Sequence, residues 1–394
     1  MALLNISRIA LTGLIGLGVA SLHIFGESNG LFPTIVDFRT RGILPTHHTW
    51  TKSTFDTSIT GFDPPDGLLA TLLVFFWPLL DGENPAASLI SIVFGGQAVA
   101  IWSVYVLEGW RKINQGRVIS FTTIWGLVIQ CIGYAVIGPL YLTIYLFTSP
   151  LVTSSAPLTP SALTIQEGNL SGLPFGIIIG FIFPSVLMAL PTPSVLSLTS
   201  KITAILVWQA FPLWTTVYNY IWRFTLWPKI EYTKESDRLA NQITILRNVY
   251  KFGLALSVPA HIATWTISLS TVAFPSLFTT AAQSELHPAS VFLPPNPFGD
   301  AKSIDVAQGS KWFMQYDYAI TSTAYVIWAI ASRYSKSVKT ATKDQSASLD
   351  ALALVGILGK VALLGPFATA LTLIWERDEI IFAQAGAVEE KKTS

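Results

Sequence analysis

Asp317 stands in the apolar run Trp312 to Ile330, WFMQYDYAITSTAYVIWAI. An aspartate at hydrocarbon depth is costly unless it is paired, hydrated or turned toward an internal cavity. A carboxyl group that keeps its proton in a dry cavity can serve as a general acid. Gln315, Tyr316, Tyr318, Thr321 and Ser322 surround it in sequence. Thr321 shares its helical face at i+4, and Tyr316 and Tyr318 flank it on other faces. The competing reading is a structural acid, paired with a neighbouring helix or seated in the headgroup layer.

Other acids sit at the ends of apolar runs. Asp81 and Glu83 share the turn Asp81-Gly-Glu-Asn-Pro85, where two carboxyl groups could share a proton or stand solvated. Glu108 precedes Gly109-Trp110-Arg111-Lys112. It either pairs with Arg111 at the interface or turns inward as a second acid or base. Asp63 and Asp66 flank the opening of the second run, and Asp66 suits a helix cap. Glu27 closes the first run. His23 and His261, near or within runs, fit polar residues bonded across helices. His47 and His48 are adjacent, which does not put both rings readily on one metal.

The chain has no HExxH and no DDxxD-like cluster of the kind that holds magnesium and phosphates. It has no GxGxxG at a strand–helix junction and no P-loop. The expectation is therefore no metal and no cofactor. Aromatic residues are abundant within the runs. Trp102, Tyr105, Trp125, Tyr134, Trp208 and Trp265, with Asn219, Tyr316 and Tyr318, are the candidate substrate-lining residues. Converging rings could guide a carbocation by cation–π attraction. Lipid or helix contact explains any one of them equally.

Composition sets the frame that must position these groups. Of 394 residues, 51% are hydrophobic and 12% charged, against about 25% charged in soluble domains. Apolar runs approach the roughly 20 residues needed to cross a bilayer and recur along the chain. The net charge of +1 gives no basic arm for nucleic acid. Cys131 is the only cysteine, which excludes an intrachain disulfide. Several of the 13 Trp lie at run ends, the interfacial belt pattern. A weak basic start at Arg8 precedes the first run. The small-residue match Gly18-Val19-Ala20 lies inside that run, so it reads as a retained span and not a cleaved signal.

The pattern predicts an all-α polytopic bundle, a single integral-membrane domain over residues 1–394 with about nine spans. These are Ile9–Phe25, Leu68–Leu80, Ala87–Leu107, Ser120–Phe147, Leu173–Leu190, Ile202–Trp222, Phe252–Phe274, the run carrying Asp317, and Ala351–Trp375. Residues 27–65 read as a polar loop, 149–172 as a connecting loop, 223–251 as a charged connection forming a surface helix, 275–311 as a Pro-rich loop and 376–394 as a polar tail. Arg333–Lys343 reads as basic. Pro139 is expected to bend its span. Asn5-Ile-Ser7 and Asn169-Leu-Ser171 are glycosylation sequons, relevant if they face a lumen.

Multiple spans, isolated acids, many aromatics and no metal motif together resemble the membrane-integral terpene cyclases of fungal meroterpenoid pathways. In length the chain resembles the ascochlorin and ascofuranone type. The resemblance implies an enzyme of the endoplasmic reticulum membrane that takes a hydrophobic prenylated small molecule, a farnesyl chain on an aromatic ring, from the bilayer. An acid would protonate a terminal epoxide or alkene. The cation would then add internally and end by proton loss or hydroxyl capture, without metal. Asp317, Glu108, Asp81 and Glu83 are the candidate acids on the residue reading. The alternative is a proton-coupled transporter or lipid-binding membrane protein, with Pro139, Pro212 and Pro259 marking discontinuous helices.

Overall fold

The computed structural model describes residues 2–46, 53–156, 158–228, 230, 232–335, 338 and 349–393, with side chains of the last helix described to residue 383. His47, His48 and most of the basic stretch Arg333–Lys343 lie outside the described residues. The described chain is helical. The principal helices are α1 (Ala2–Gly18), α2 (Leu31–Arg41), α3 (Asp63–Leu80), α4 (Pro85–Trp110), α5 (Thr122–Ile132), α6 (Tyr134–Thr148), α7 (Glu167–Ile177), α8 (Leu198–Trp208), α9 (Phe211–Ile221), α10 (Glu235–Ala273), α11 (Val306–Arg333), α12 (Ala351–Leu364) and α13 (Pro366–Thr393). α1 runs on through a π turn to Ser28, and α7 through another to Ala189.

α4 is the central post. Every residue from Val99 to Gly109 is buried, and a helix apolar all round must be enclosed on all sides. It packs along α10, α11 and α13, while α11 also lies against α1, α6 and α13. Outer helices turn apolar side chains outward: Ile6, Ile9 and Ile24 on the first, and Leu352, Val355, Leu358 and Leu363 on α12. Such a continuous greasy exterior is what hydrocarbon solvates.

Among the described residues, four helical segments are long and apolar enough to cross a membrane: Ala2–Ser28, Pro85–Trp110, Pro160–Ala189 and Glu235–Ala273. Three of the nine expected spans are not continuous helices. Ser120–Phe147 breaks at Gly133, which joins α5 to α6 with φ 102° and ψ 148°. Ile202–Trp222 breaks between Trp208 and Phe211, and Ala351–Trp375 at Gly365 with φ 91°. The prolines are not the break points. Pro139 and Pro259 lie inside α6 and α10, and Pro212 sits in the first turn of α9, where its missing N–H costs no intrahelical bond.

Broken backbone at membrane depth is tolerated only where its freed groups find partners. At Gly365 one side chain supplies both. Gln97 donates through Nε2 to Leu364 O (3.0 Å) and Ser257 O (2.9 Å), and accepts at Oε1 from the amides of Phe367 (3.1 Å) and Ala368 (3.3 Å).

Several connections are more ordered than their composition suggests. The polar loop 27–65 contains α2, which buries Leu31 and Ile35. The expected loop 149–172 holds short helices and the start of α7, so Asn169 lies in a helix with its side-chain oxygen accepting from Arg223. The second half of 223–251 continues unbroken into the next span as the 39-residue α10. The Pro-rich loop carries helices Thr280–Leu286 and Pro288–Phe292 and gives way to α11 at Val306. Asp317 therefore lies three turns inside its helix. The polar tail continues α13, and its residues Arg377 and Asp378 are fully buried.

Candidate functional site

Asp317 projects from α11 toward the break at Gly133 and retains 7% exposure. Its Oδ1 accepts from the amide of Ala135 at 2.5 Å, and the Tyr134 amide also donates to the carboxyl group. These are orphan donors at the start of α6, so Asp317 caps that helix from another element. Across the same break, His23 Nε2 bonds the carbonyl of Ile132, the last residue of α5, at 2.8 Å. The groups freed by Gly133 are thus satisfied from two sides, the carbonyl by α1's extension and the amide by α11. Only glycine suits the backbone here, and an added Cβ would approach Leu22 Cδ1 at 2.8 Å.

Both capping residues line one cavity of about 650 Å³. That volume lies in the range of roughly 300–1,000 Å³ typical of small-molecule sites. Its walls are apolar, drawn mainly from α3, α4, α5, α11 and the helix Phe183–Ala189. Among the described residues, Asp317 and His23 are the only carboxyl and imidazole groups in the lining. Ile92, Ile132, Val186 and Leu256 belong to the lining and are exposed. The cavity is partly open, and these exposed members of its lining are apolar.

An unbroken series of ring contacts leads away from the turn that holds Asp317. Phe313 meets Phe75 at 5.0 Å, Phe75 meets Phe76 at 5.1 Å, and Phe76 meets Trp208 at 5.3 Å. Trp208 meets Phe211 at 5.4 Å, and Phe211 meets Trp102 at 5.1 Å. All six rings line the cavity. In the edge-to-face pair Phe75–Phe313 the positive edge of one ring rests on the negative face of the other.

Of the sequence candidates, Asp317, Trp102, Tyr134 and Trp208 are brought together at this cavity. Tyr105 lies behind Trp102, stacked at 5.3 Å. Tyr316 turns its hydroxyl to Pro295 O, and Tyr318 packs between Phe94 and Phe367. Trp125 donates to Val118 O, Asn219 donates to Asn169 O, and Trp265 stacks on Phe292 at 4.2 Å. These six hold helices together and do not line the cavity.

Glu108 is engaged elsewhere. Arg377 Nη2 and Arg111 Nε donate to its Oε1 at 2.7 and 3.1 Å, and Tyr145 OH and Arg377 Nη1 donate to its Oε2 at 2.5 and 3.1 Å. Asp378 completes the group, accepting from Arg377, Arg111 and Tyr250. Two arginines and two carboxylates cancel in charge, each fully buried. Asp81 and Glu83 flank Gly82, which lines the cavity, but do not line it themselves. Asp81 Oδ1 accepts from the Glu83 amide at 2.9 Å. Nearby Lys201 is held by Leu80 O and Leu190 O, at the ends of α3 and the helix Phe183–Ala189. Asp66 grips the preceding turn, accepting from the Thr60 amide and hydroxyl and the Gly61 amide.

His23 is the site residue that sequence reasoning set aside. It was legible as a polar side chain bonded across helices, but its pairing with a glycine break 109 residues away was not. Among the described residues no group of three or more His, Cys, Asp or Glu converges in a way that could hold a metal ion.

Fold and site define a polytopic helical membrane protein enclosing an apolar chamber that carries one carboxyl and one imidazole. Residues 7–382 match the CtvD domain. The chain is 33% identical over 392 residues to terpene cyclase ascI of Acremonium egyptiacum, covering 98% of this chain and 96% of that protein. It is 27% identical to terpene cyclase ctvD of Aspergillus terreus, over 92% and 96% of the two chains. Against terpene cyclase penA of Penicillium crustosum the identity is 27%, over 80% and 81%. The chain belongs to the CtvD-domain family of fungal meroterpenoid terpene cyclases, and it is a membrane-bound enzyme. That membership decides against the transporter reading. No solved structure matches the chain.

Proposed function

We propose that this enzyme cyclises a farnesyl-type chain carried on an aromatic ring, and that Asp317 starts the reaction by protonating a terminal epoxide or alkene. The carrying observation is the placement of one carboxyl group in a 650 Å³ apolar cavity whose wall is a run of aromatic rings. The exposed apolar lining suits a substrate that partitions into lipid and enters from the side.

The chemistry follows from what surrounds the acid. A proton on Oδ2 passes to the epoxide oxygen or the terminal carbon, leaving a carboxylate. The amides of Ala135 and Tyr134 already point at that carboxyl group. They stabilise negative charge at a helix start, where the dipole favours it. The cation left on the chain lies between ring faces, each contributing about 0.5–2 kcal/mol. Water is excluded by the apolar walls, so the chain's own alkene or hydroxyl captures the cation. The reaction is an isomerisation and consumes no cofactor. We assign it to the endoplasmic reticulum membrane, where prenylated intermediates would dissolve.

The test supplies membranes containing the protein with a farnesylated phenol, with and without its terminal epoxide, in the presence and absence of EDTA. A cyclic isomer of unchanged mass, formed despite EDTA and lost in Asp317→Asn, is the expected result. No isomer from either substrate would overturn the cyclisation reading. An isomer that persists in the variant would remove Asp317 from it.

A further inference from the structure

We propose that His23 is the proton acceptor of this site, taking the proton released when a hydroxyl or a carbon of the substrate quenches the cation. This rests on the cyclisation reading above and adds a second reacting group to it.

The tautomer of His23 is fixed by its partner. Ile132 O can only accept, so the hydrogen bond at 2.8 Å requires the proton to be on Nε2. In the neutral ring Nδ1 then carries the lone pair and is the basic atom. His23 belongs to the cavity lining, and among the described residues no hydrogen bond occupies Nδ1.

The second argument compares two breaks in the same molecule. At Gly365 the freed carbonyl and amides are capped by one uncharged amide, Gln97. That break shows that a glutamine is enough for the structural task. At Gly133 the same task is divided between an imidazole and a carboxyl group, and both face the cavity. Titratable groups add nothing to a cap that an amide can make. They add an acid and a base on opposite sides of one break.

The proton balance closes. Asp317 gives up one proton when the epoxide opens or the alkene is protonated. The C–O bond, or the C=C double bond, that ends the cascade forms as an O–H or a neighbouring C–H bond breaks, and that proton goes to Nδ1 of His23. Imidazolium and carboxylate then face the same chamber, and transfer of the proton between them restores both groups. Nothing is oxidised or reduced, and product and substrate have the same mass.

The experiment uses the full chain in detergent or nanodiscs with the farnesylated phenol epoxide, comparing wild type, His23→Gln and Asp317→Asn. Glutamine can place its amide nitrogen where Nε2 sits, keeping the bond to Ile132 O while supplying no base. The expected result is a fall in turnover of about 10²–10⁴-fold for His23→Gln. Substrate binding, read by quenching of the lining tryptophans Trp102 and Trp208, should change less than threefold. Turnover within threefold of wild type would overturn the inference while leaving the cyclisation reading intact. Binding and turnover lost together would overturn it in favour of a purely structural histidine. A wild-type protein that forms no isomer would overturn both readings. If His23→Gln is not recovered folded, His23→Ala is assayed with imidazole in the buffer: turnover that returns with the free base supports the proton acceptor, and none returning overturns it.

Discussion

Asp317 and Ala135 are joined by a 2.5 Å hydrogen bond from the Ala135 amide to the carboxyl oxygen, across two helices and at a break in one of them. The same side chain therefore holds backbone together and faces the chamber. Substitution can separate these roles. Asparagine is as good a cap as aspartate but carries no acidic proton. Asp317→Asn should fold with near wild-type stability and lose about 10²–10⁴ in turnover. Asp317→Ala should lose the activity and also about 0.5–2 kcal/mol of stability. Thermal unfolding followed beside turnover distinguishes them, and equal melting of the two variants would remove the cap from the account.

Gly133 is where the backbone leaves the range open to other residues. Its φ of 102° with ψ of 148° is a glycine conformation, and Gly133→Ala would also press on Leu22 Cδ1. Backbone of this kind costs other residues about 1–3 kcal/mol. The variant should melt earlier, and because His23 and Asp317 are both tied to this turn, its turnover should fall with its stability. A Gly133→Ala protein with full activity would show that the break does not position the two groups.

The sequence showed some of this plainly and hid the rest for physical reasons. Asp317 was visible because an acid in a long apolar run is expensive wherever it lies. The break at Gly133 was hidden: a single glycine in Gln130-Cys-Ile-Gly-Tyr134 leaves the apolar pattern uninterrupted, while Pro139 drew attention and sits inside a helix. Arg377 and Asp378 read as a polar tail because their partners, Glu108 and Arg111, lie more than 260 residues upstream. Composition cannot report such a pairing. Among the aromatics, Trp102 and Trp208 could not be told from Trp125 and Trp265 without knowing which face of each helix turns inward.

Glu108 illustrates the cost of that blindness, and its role can be tested. Its carboxylate joins α4 to α13 through Arg377 and to α6 through Tyr145. Removing one member of a fully buried charged set leaves the others uncompensated, at about 3–5 kcal/mol. Arg377→Met and Glu108→Gln should both reduce the yield of folded protein and lower the melting temperature. If Glu108→Gln instead folded normally and lost only turnover, the carboxylate would belong to the chemistry.

Asp66 gives a pH dependence outside the spans. Hydrogen bonds from the Thr60 hydroxyl, opposed by burial, hold its carboxyl below the usual carboxylate range, with the Thr60 and Gly61 amides adding to the effect. A depressed folded value means the stabilisation is present above the unfolded carboxylate value, about 3.9, and is lost as pH falls through the folded one. Proteolysis within residues 57–66 should therefore increase as the pH drops below about 4. In Asp66→Asn the segment should be cut more readily at neutral pH, with little further change on acidification. An unchanged acid response in that variant would assign the transition to another group.

The aromatic wall makes the last prediction, because it concerns the path of the cation and not its origin. Phe76 stands between Phe75 and Trp208, midway along the series that starts near Asp317. Phe76→Leu keeps the site apolar and roughly filled but removes one quadrupolar face. A ring is worth about 0.5–2 kcal/mol to a cation passing over it, which is roughly twofold to thirtyfold in the rate of the step it assists. Substrate consumption should fall by no more than that, since Asp317 is untouched. The products should shift toward partly cyclised alkenes that have lost a proton early. Mass spectrometry and chromatography of the isomer mixture read this directly. A single unchanged product at reduced rate would mean that the wall shapes the substrate without stabilising the charge.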